Sequence, residues 1–148
     1  MIMRVAPILF SLLIISSGCE KDEEPLIEDS GVCLVLMNGE FVETELDEMP
    51  SYLEGGKDGF YMALFSVIKY PAEAREAGIQ GLCRVQYEIT ETGEAENIQT
   101  IEDPGGGIGA ATVQALMSAT PGISFSPGIL NQVAVRVRKE LRVRFKLQ

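Results

Sequence analysis

Histidine is absent from all 148 residues, and tryptophan with it. The first absence removes the commonest general base near neutral pH and the commonest metal ligand. Cysteine is sparse, at Cys19, Cys33 and Cys83, and thiols in that number without histidine do not make a zinc site. Ser66, Ser118, Ser124 and Ser126 have no partner base that the sequence can nominate. Carboxylates are plentiful, yet none forms a spaced pair on an apolar, cleft-like segment. The chain therefore reads as a non-enzyme, with no catalytic residue, no metal site and no cofactor.

Long apolar runs are missing too. Residues 5–15 form a largely apolar run, interrupted by Pro7, about the length of a signal-peptide core and short of the ~20 residues a membrane span needs. Arg4 supplies a positive start, and Ser16-Ser17-Gly18-Cys19 places small residues before a cysteine. This resembles a lipobox, which implies a lipid on the Cys19 thiol and cleavage just before it; Ser16 stands where that pattern usually has an aliphatic residue. An ordinary signal peptide or a short anchor is the alternative. Glu20-Lys21-Asp22-Glu23-Glu24-Pro25 follows, a charge run that cannot continue a membrane helix. It resembles the Lys-acidic-acidic signal that sends some lipoproteins to the outer face of the outer membrane. The organisation expected is a leader over 1–18, an acidic tether over 19–31 and one folded unit over 32–148. That unit divides into a hairpin and connector (32–54) and a core module (55–148), as the size of a single small domain allows.

Charge is unevenly divided. Residues 20–54 hold twelve acids and one base, a balance of −11, whereas residues 55–148 hold ten of each. An acidic base on a neutral module argues against nucleic acid as a partner. With Cys19 assigned to lipid, Cys33 and Cys83 remain in an exported, oxidising setting. Either a disulfide between them or two buried free thiols is open, since pairing depends on strand neighbours that spacing alone does not give.

Periodicity supplies the elements. Residues 32–37 are continuously apolar, Asn38-Gly39 is a two-residue turn signal, and 41–46 returns, which reads as a hairpin. Phe60, Leu64 and Ile68 recur at spacing four, predicting a helix over 58–68 that Tyr70-Pro71 ends. A short helical turn over 72–77 and its cap Gly78 come next. Cys83, Val85, Tyr87 and Ile89 alternate with Arg84, Gln86 and Glu88, predicting a strand; Thr92-Gly93 turns it back over 95–101, where Ile98 and Ile101 fall out of phase and predict a bulge or an early end to that strand. A helix over 112–119 follows. In the last segment Val133, Val135, Val137, Leu141, Val143, Phe145 and Leu147 hold the odd positions, broken only by Lys139, while Arg136, Arg138, Arg142 and Arg144 hold even ones. One long half-buried strand is expected. Its basic row is either neutralised by cross-strand carboxylates such as Glu88 or presented to an acidic peptide.

Gly105-Gly106-Gly107-Ile108-Gly109-Ala110 fits a phosphate-cradling string. A hairpin precedes it instead of a strand opening a βαβ unit, and no ribose-binding acid follows, so a surface loop is the better reading.

Tyr70-Pro71, Ala74-Arg75, Gly78-Ile79-Gln80-Gly81, Thr92-Gly93, Pro127-Gly128 and Val143-Arg144-Phe145-Lys146-Leu147 together resemble the C-terminal domain of TonB, in order and spacing over about half of the chain. Phe125 stands where that family commonly has tryptophan. The resemblance implies an α+β fold, a three-stranded antiparallel sheet with two helices on one face, here joined by an N-terminal hairpin. It also implies that a partner's extended segment adds to the edge of the last strand beside the Tyr-Pro segment. Tyr70, Pro71, Val133, Val135, Arg136, Val137, Arg138, Arg142, Val143 and Phe145 are then the partner-binding residues. An outer-membrane receptor or another envelope protein is the partner expected, with the strand edge also open to a homodimer. A transducing TonB needs an inner-membrane helix and a long Pro-rich reach, and this sequence shows neither. The expectation is an outer-membrane protein of the Gram-negative envelope held through its lipid, on the periplasmic face or the cell surface. An energy transducer with residues 1–17 kept as anchor and a purely structural envelope lipoprotein are the alternatives.

Overall fold

A computed structural model describes residues 25–147, apart from the side chain of Asp29. The leader and Cys19, where lipid attachment is expected, lie outside the described residues. Strands β1 (Leu26–Met37) and β2 (Glu40–Glu43) form the N-terminal hairpin. Its turn is Asn38-Gly39 with φ of 53° and 85°, the positive-φ pair that matches strand twist. Then come β3 (Ser51–Tyr52), helix α1 (Gly56–Val67), the short α2 (Ala72–Glu76), β4 (Gly81–Ile89), β5 (Ala95–Glu102) and helix α3 (Ile108–Ala119). The chain ends with β6 (Phe125–Ser126), β7 (Gly128–Leu130), β8 (Val133–Val135) and β9 (Val137–Phe145).

The fold is α+β, but its sheet is larger than expected. Five antiparallel strands lie in the order β2-β1-β9-β4-β5. The N-terminal hairpin does not stand beside a three-stranded sheet; β1 pairs with β9 and extends it. It also starts at Leu26, inside the segment expected to be tether, because Ile27 is buried on the core face.

One face carries the core. Cys83, Val85, Tyr87 and Ile89 from β4 lie there with Val137, Leu141, Val143 and Phe145 from β9, all buried. Phe60 and Leu64 of α1 and Ile108, Thr112, Ala115, Leu116 and Ala119 of α3 close over them. Each fully buried aliphatic side chain contributes about 1.5–3 kcal/mol, so the alternation in these two strands carries much of the fold. Phe125 fills the end of this layer, edge-on to Phe60 at 5.5 Å and to Tyr52 at 5.4 Å. The Tyr52 hydroxyl donates to Ala119 O at 2.7 Å, tying the connector before α1 to the end of α3.

The single long final strand expected over 133–147 is instead two. Val133–Val135 folds back on β7 through Asn131 and Gln132, both at positive φ, and only from Val137 does the chain join the sheet. A local hairpin competes for the first residues and wins them.

Candidate docking surface

Strand β9 is where the sequence places partner binding, and it lies at the centre of the sheet. One side pairs with β4 without interruption, from Gly81↔Phe145 to Ile89↔Val137. The other pairs with β1 in two stretches: Leu26↔Arg144, Ile27↔Val143 and Glu28↔Arg142, continuing to residue 29, and then Cys33↔Lys139, Leu34↔Arg138 and Val35↔Val137, with an irregularity between them. The open edge expected at this strand is therefore closed, because a segment of the same chain satisfies its main-chain donors and acceptors. Among the described strands of this sheet, the outermost are β2 and β5.

The irregularity has a definite geometry. From Val143 to Val137 β9 advances six residues, while from Ile27 to Val35 β1 advances eight, so β1 carries two residues more than its partner. Gly31 sits there at φ 68°, a left-handed turn that glycine adopts without steric cost. Beside it, the carbonyl of Glu140 accepts from the Ser30 hydroxyl at 3.0 Å, a side-chain contact within the irregular stretch.

Tyr70 lies at the far end of β9. Its ring meets Phe145 edge-on at 5.3 Å and its hydroxyl donates to Ile79 O. The Arg75 guanidinium lies 5.7 Å from the ring centre. Burial pushes the phenol pKa up. Of the predicted binding residues, the structure thus brings Tyr70, Pro71, Val143 and Phe145 to one end. Val137, Arg138, Arg142 and Arg136 line or flank the strand, whereas Val133 and Val135 belong to the separate β7–β8 hairpin.

The basic row is neutralised from within the chain. Arg84 makes a two-pronged contact with Glu140, Nε to Oε1 at 2.7 Å and a second nitrogen to Oε2 at 2.9 Å, and Arg142 Nε adds a third bond at 2.8 Å. These guanidinium hydrogen bonds hold the Glu140 carboxyl down at about 2 against an opposing burial effect. Arg136 reaches Glu96 at 3.0 Å and Glu88 at 3.8 Å, and Arg144 meets Glu28 at 3.0 Å. Arg138 stacks its guanidinium 3.7 Å from the Phe41 ring centre, a cation–π contact that pins the β1–β2 hairpin from its far strand. Sequence reasoning missed Glu140 as the centre of this network. Its one signal was an acid standing alone among five basic residues between 136 and 144.

A cavity of about 190 Å³ opens between α1, the connector and the sheet, lined by Tyr52, Phe60, Tyr87, Phe125 and Lys139 among others. Lys139 is the residue that breaks the alternation of β9, and this gap is what lets a cation stand on the core face.

Two other expectations are settled by geometry. Cys33 and Cys83 are both free; Cys33 lies opposite Lys139 and Cys83 opposite Val143, on different sides of β9 and four residues apart along it, so no disulfide can close. Burial raises both thiol pKa values. The glycine-rich segment is packed, not vacant: Asp103 Oδ1 accepts from Gly105 N at 2.8 Å and Gly109 N at 3.1 Å, so the start of α3 is capped by the chain's own carboxylate. A Cβ on Gly106 would stand 2.7 Å from Ala74. Among the described residues no group of acids and cysteines could hold a metal, and no helix is long and apolar enough to cross a membrane.

An antiparallel sheet with helices on one face and an ion network on the other defines a module of the α+β class. Residues 66–147, more than half of the chain, match the family described as Gram-negative bacterial TonB protein C-terminal. The chain belongs to the TonB C-terminal family. An NMR solution structure of the Helicobacter pylori TonB C-terminal domain is similar at 20% identity, over 62% of this chain and 79% of that one, with a TM-score of 0.48. No curated protein gives a significant match. Strand β1 lies wholly outside the family-matched residues, while the β9 edge that it covers lies inside them.

Proposed function

We propose that this protein is a lipid-anchored envelope docking module, held through Cys19, that captures an extended segment of a partner membrane protein by strand addition along β9, next to Tyr70 and Pro71. Membership of the TonB C-terminal family supports an interaction role in the Gram-negative envelope. The observation that carries the mode of binding is the pairing of β9 with a segment from outside the family-matched residues. An edge that takes β1 has the main-chain geometry to take another extended strand, and alternate side chains supply the selectivity. The module works by binding and has no enzymatic role.

A photo-crosslinking residue at Arg144, expressed in the full chain in cells, tests this reading. A discrete adduct with one outer-membrane protein is the expected result; the absence of any adduct at Arg144 and at Lys146 would refute it. Metabolic lipid labelling that disappears in Cys19→Ser checks the anchor. Labelling that is absent from the wild type, with residues 1–17 retained, would favour an energy transducer instead.

A further inference from the structure

Strand β1 already occupies the edge that a partner would need, and it does so imperfectly. Its two halves are held differently. The second half, from Cys33 onward, is flanked by β2 from Leu34 to Met37 and by the Phe41–Arg138 contact, and it buries Val35 completely. The first half, before Gly31, has no strand on its outer side among the described residues. It is fastened by Ile27 against the core and by Glu28 to Arg144, while Leu26 is 56% exposed. Between them the two extra residues cost β1 a regular ladder, and Ser30 makes good one main-chain bond with its side chain.

We infer that the first half of β1 is an exchangeable occupant of the docking edge, and that it spells the chemistry of the segment that replaces it. This rests on the docking reading above and adds how the edge is regulated and what it selects. A partner segment of five or six residues pairs with β9 from Glu140 to Phe145 after residues 26–30 swing out about Gly31, leaving the second half of β1 in place. It carries a branched aliphatic side chain opposite Val143, as Ile27 is, and a carboxylate opposite Arg142 within reach of Arg144, as Glu28 is. A segment without the two-residue surplus continues a regular ladder past Glu140, where β1 is irregular and meets the Glu140 carbonyl with the Ser30 hydroxyl. The apparent affinity of any such segment is reduced by the fraction of molecules in which the first half is docked, so β1 sets a threshold that weak or wrongly charged segments do not pass.

The test uses the full chain labelled with ¹⁵N and the synthetic peptide Leu-Ile-Glu-Asp-Ser, the sequence of residues 26–30. Titration is expected to shift the amide signals of residues 140–145 and of Ile27. The double variant Leu26→Cys/Arg144→Cys joins two exposed positions that face each other across the strands and leaves Arg142, directly opposite the segment's carboxylate, in place; its reduced form must still bind the peptide Leu-Ile-Glu-Asp-Ser, and loss of binding in both forms overturns the proposal. Oxidised, it should bind the peptide roughly tenfold more weakly or worse than the same protein reduced. Ile27→Ala, which loosens the resident strand, should bind more tightly than wild type, and the peptide Leu-Ile-Lys-Lys-Ser should not bind. Equal binding by the oxidised and reduced forms overturns the exchange. So does a concentration-dependent dimer in which Ile27 of one copy crosslinks to Val143 of another, since the occupant is then a second copy of the chain. The cellular adduct at Lys146 separates the two layers: if it persists in the oxidised variant, exchange fails and docking stands, whereas if it forms in neither state, the docking reading itself fails.

Discussion

Replacing Glu140 with glutamine removes a carboxylate that three guanidinium hydrogen bonds hold at 2.7, 2.9 and 2.8 Å. The side chain is 8% exposed, so solvent screens these contacts little on the carboxylate side and more on the arginine side. Its pKa falls from 4.5 to about 2 on folding. The folded value is the lower one, so the stability it contributes is fully present above pH 4.5 and is lost as pH falls toward 2. The difference of roughly 2.5 units corresponds to about 3 kcal/mol at pH 7 and to about 1.4 kcal/mol at pH 3, both upper values because the arginines are partly exposed. Urea unfolding followed by circular dichroism, at pH 7 and at pH 3, reads both numbers. Glu140→Gln should be less stable than wild type by up to about 3 kcal/mol at pH 7, and the gap should roughly halve at pH 3. A gap that is constant between the two pH values would refute the reasoning, since it would mean that the loss comes from packing or hydrogen-bond geometry and not from charge.

Three further outcomes follow from the geometry. Tyr52→Phe keeps the ring contacts but loses the bond to Ala119 O, and should lower unfolding free energy by about 1 kcal/mol; an unchanged urea midpoint would show that the hydroxyl is better served by water. Gly93→Ala should cost about 3 kcal/mol or more, because its φ is 92° and a Cβ would stand 1.8 Å from Phe125 O, so a native-like spectrum with unaltered melting temperature would contradict the packing. In a thiol titration with an aromatic disulfide, fully buried Cys83 should react only once denaturant is added, and prompt reaction in native buffer would place it elsewhere.

The parts of the fold that were legible in sequence are those where one face is buried without competition. The alternation of Cys83, Val85, Tyr87 and Ile89 reads directly as β4, and spacing four in Phe60, Leu64 and Ile68 reads as α1. Of the bulge or early end expected from Ile98 and Ile101, it is the bulge that appears, as register shifts between β4 and β5 with Asn97 at φ 48°, while β5 runs on to Glu102. What pattern could not supply was partnership. Residues 26–29 hold two neighbouring apolar side chains and two acids, too little to mark a strand, and they form one because β9 offers an edge. Glu88 is 4% exposed on a face that reads as wet, since Arg136 and the Asn97 amide cover it. Helix α3 begins at Ile108, four residues before the expected start, because the Asp103 carboxylate ahead of it accepts from Gly109 N in its first turn. The expected docking residues rest on resemblance alone, and the resemblance carries no information about a strand lying outside the matched segment.

The antiparallel pairing of β1 with β9 puts the first described residues of the chain beside its last strand's end, with Leu26 across from Arg144. That placement has a mechanical meaning. A load applied through the residues ahead of Leu26 and directed away from the sheet meets the strand pairs one at a time, opening them as a zipper, with Leu26 and Ile27 first. The same load directed along the strand axis meets every pair of the first half together and is resisted in shear. With the proposed anchor ahead of β1, the proposed docking edge would respond to the direction of pull, so that tension between membrane and partner, and not concentration alone, would decide when the edge is bare.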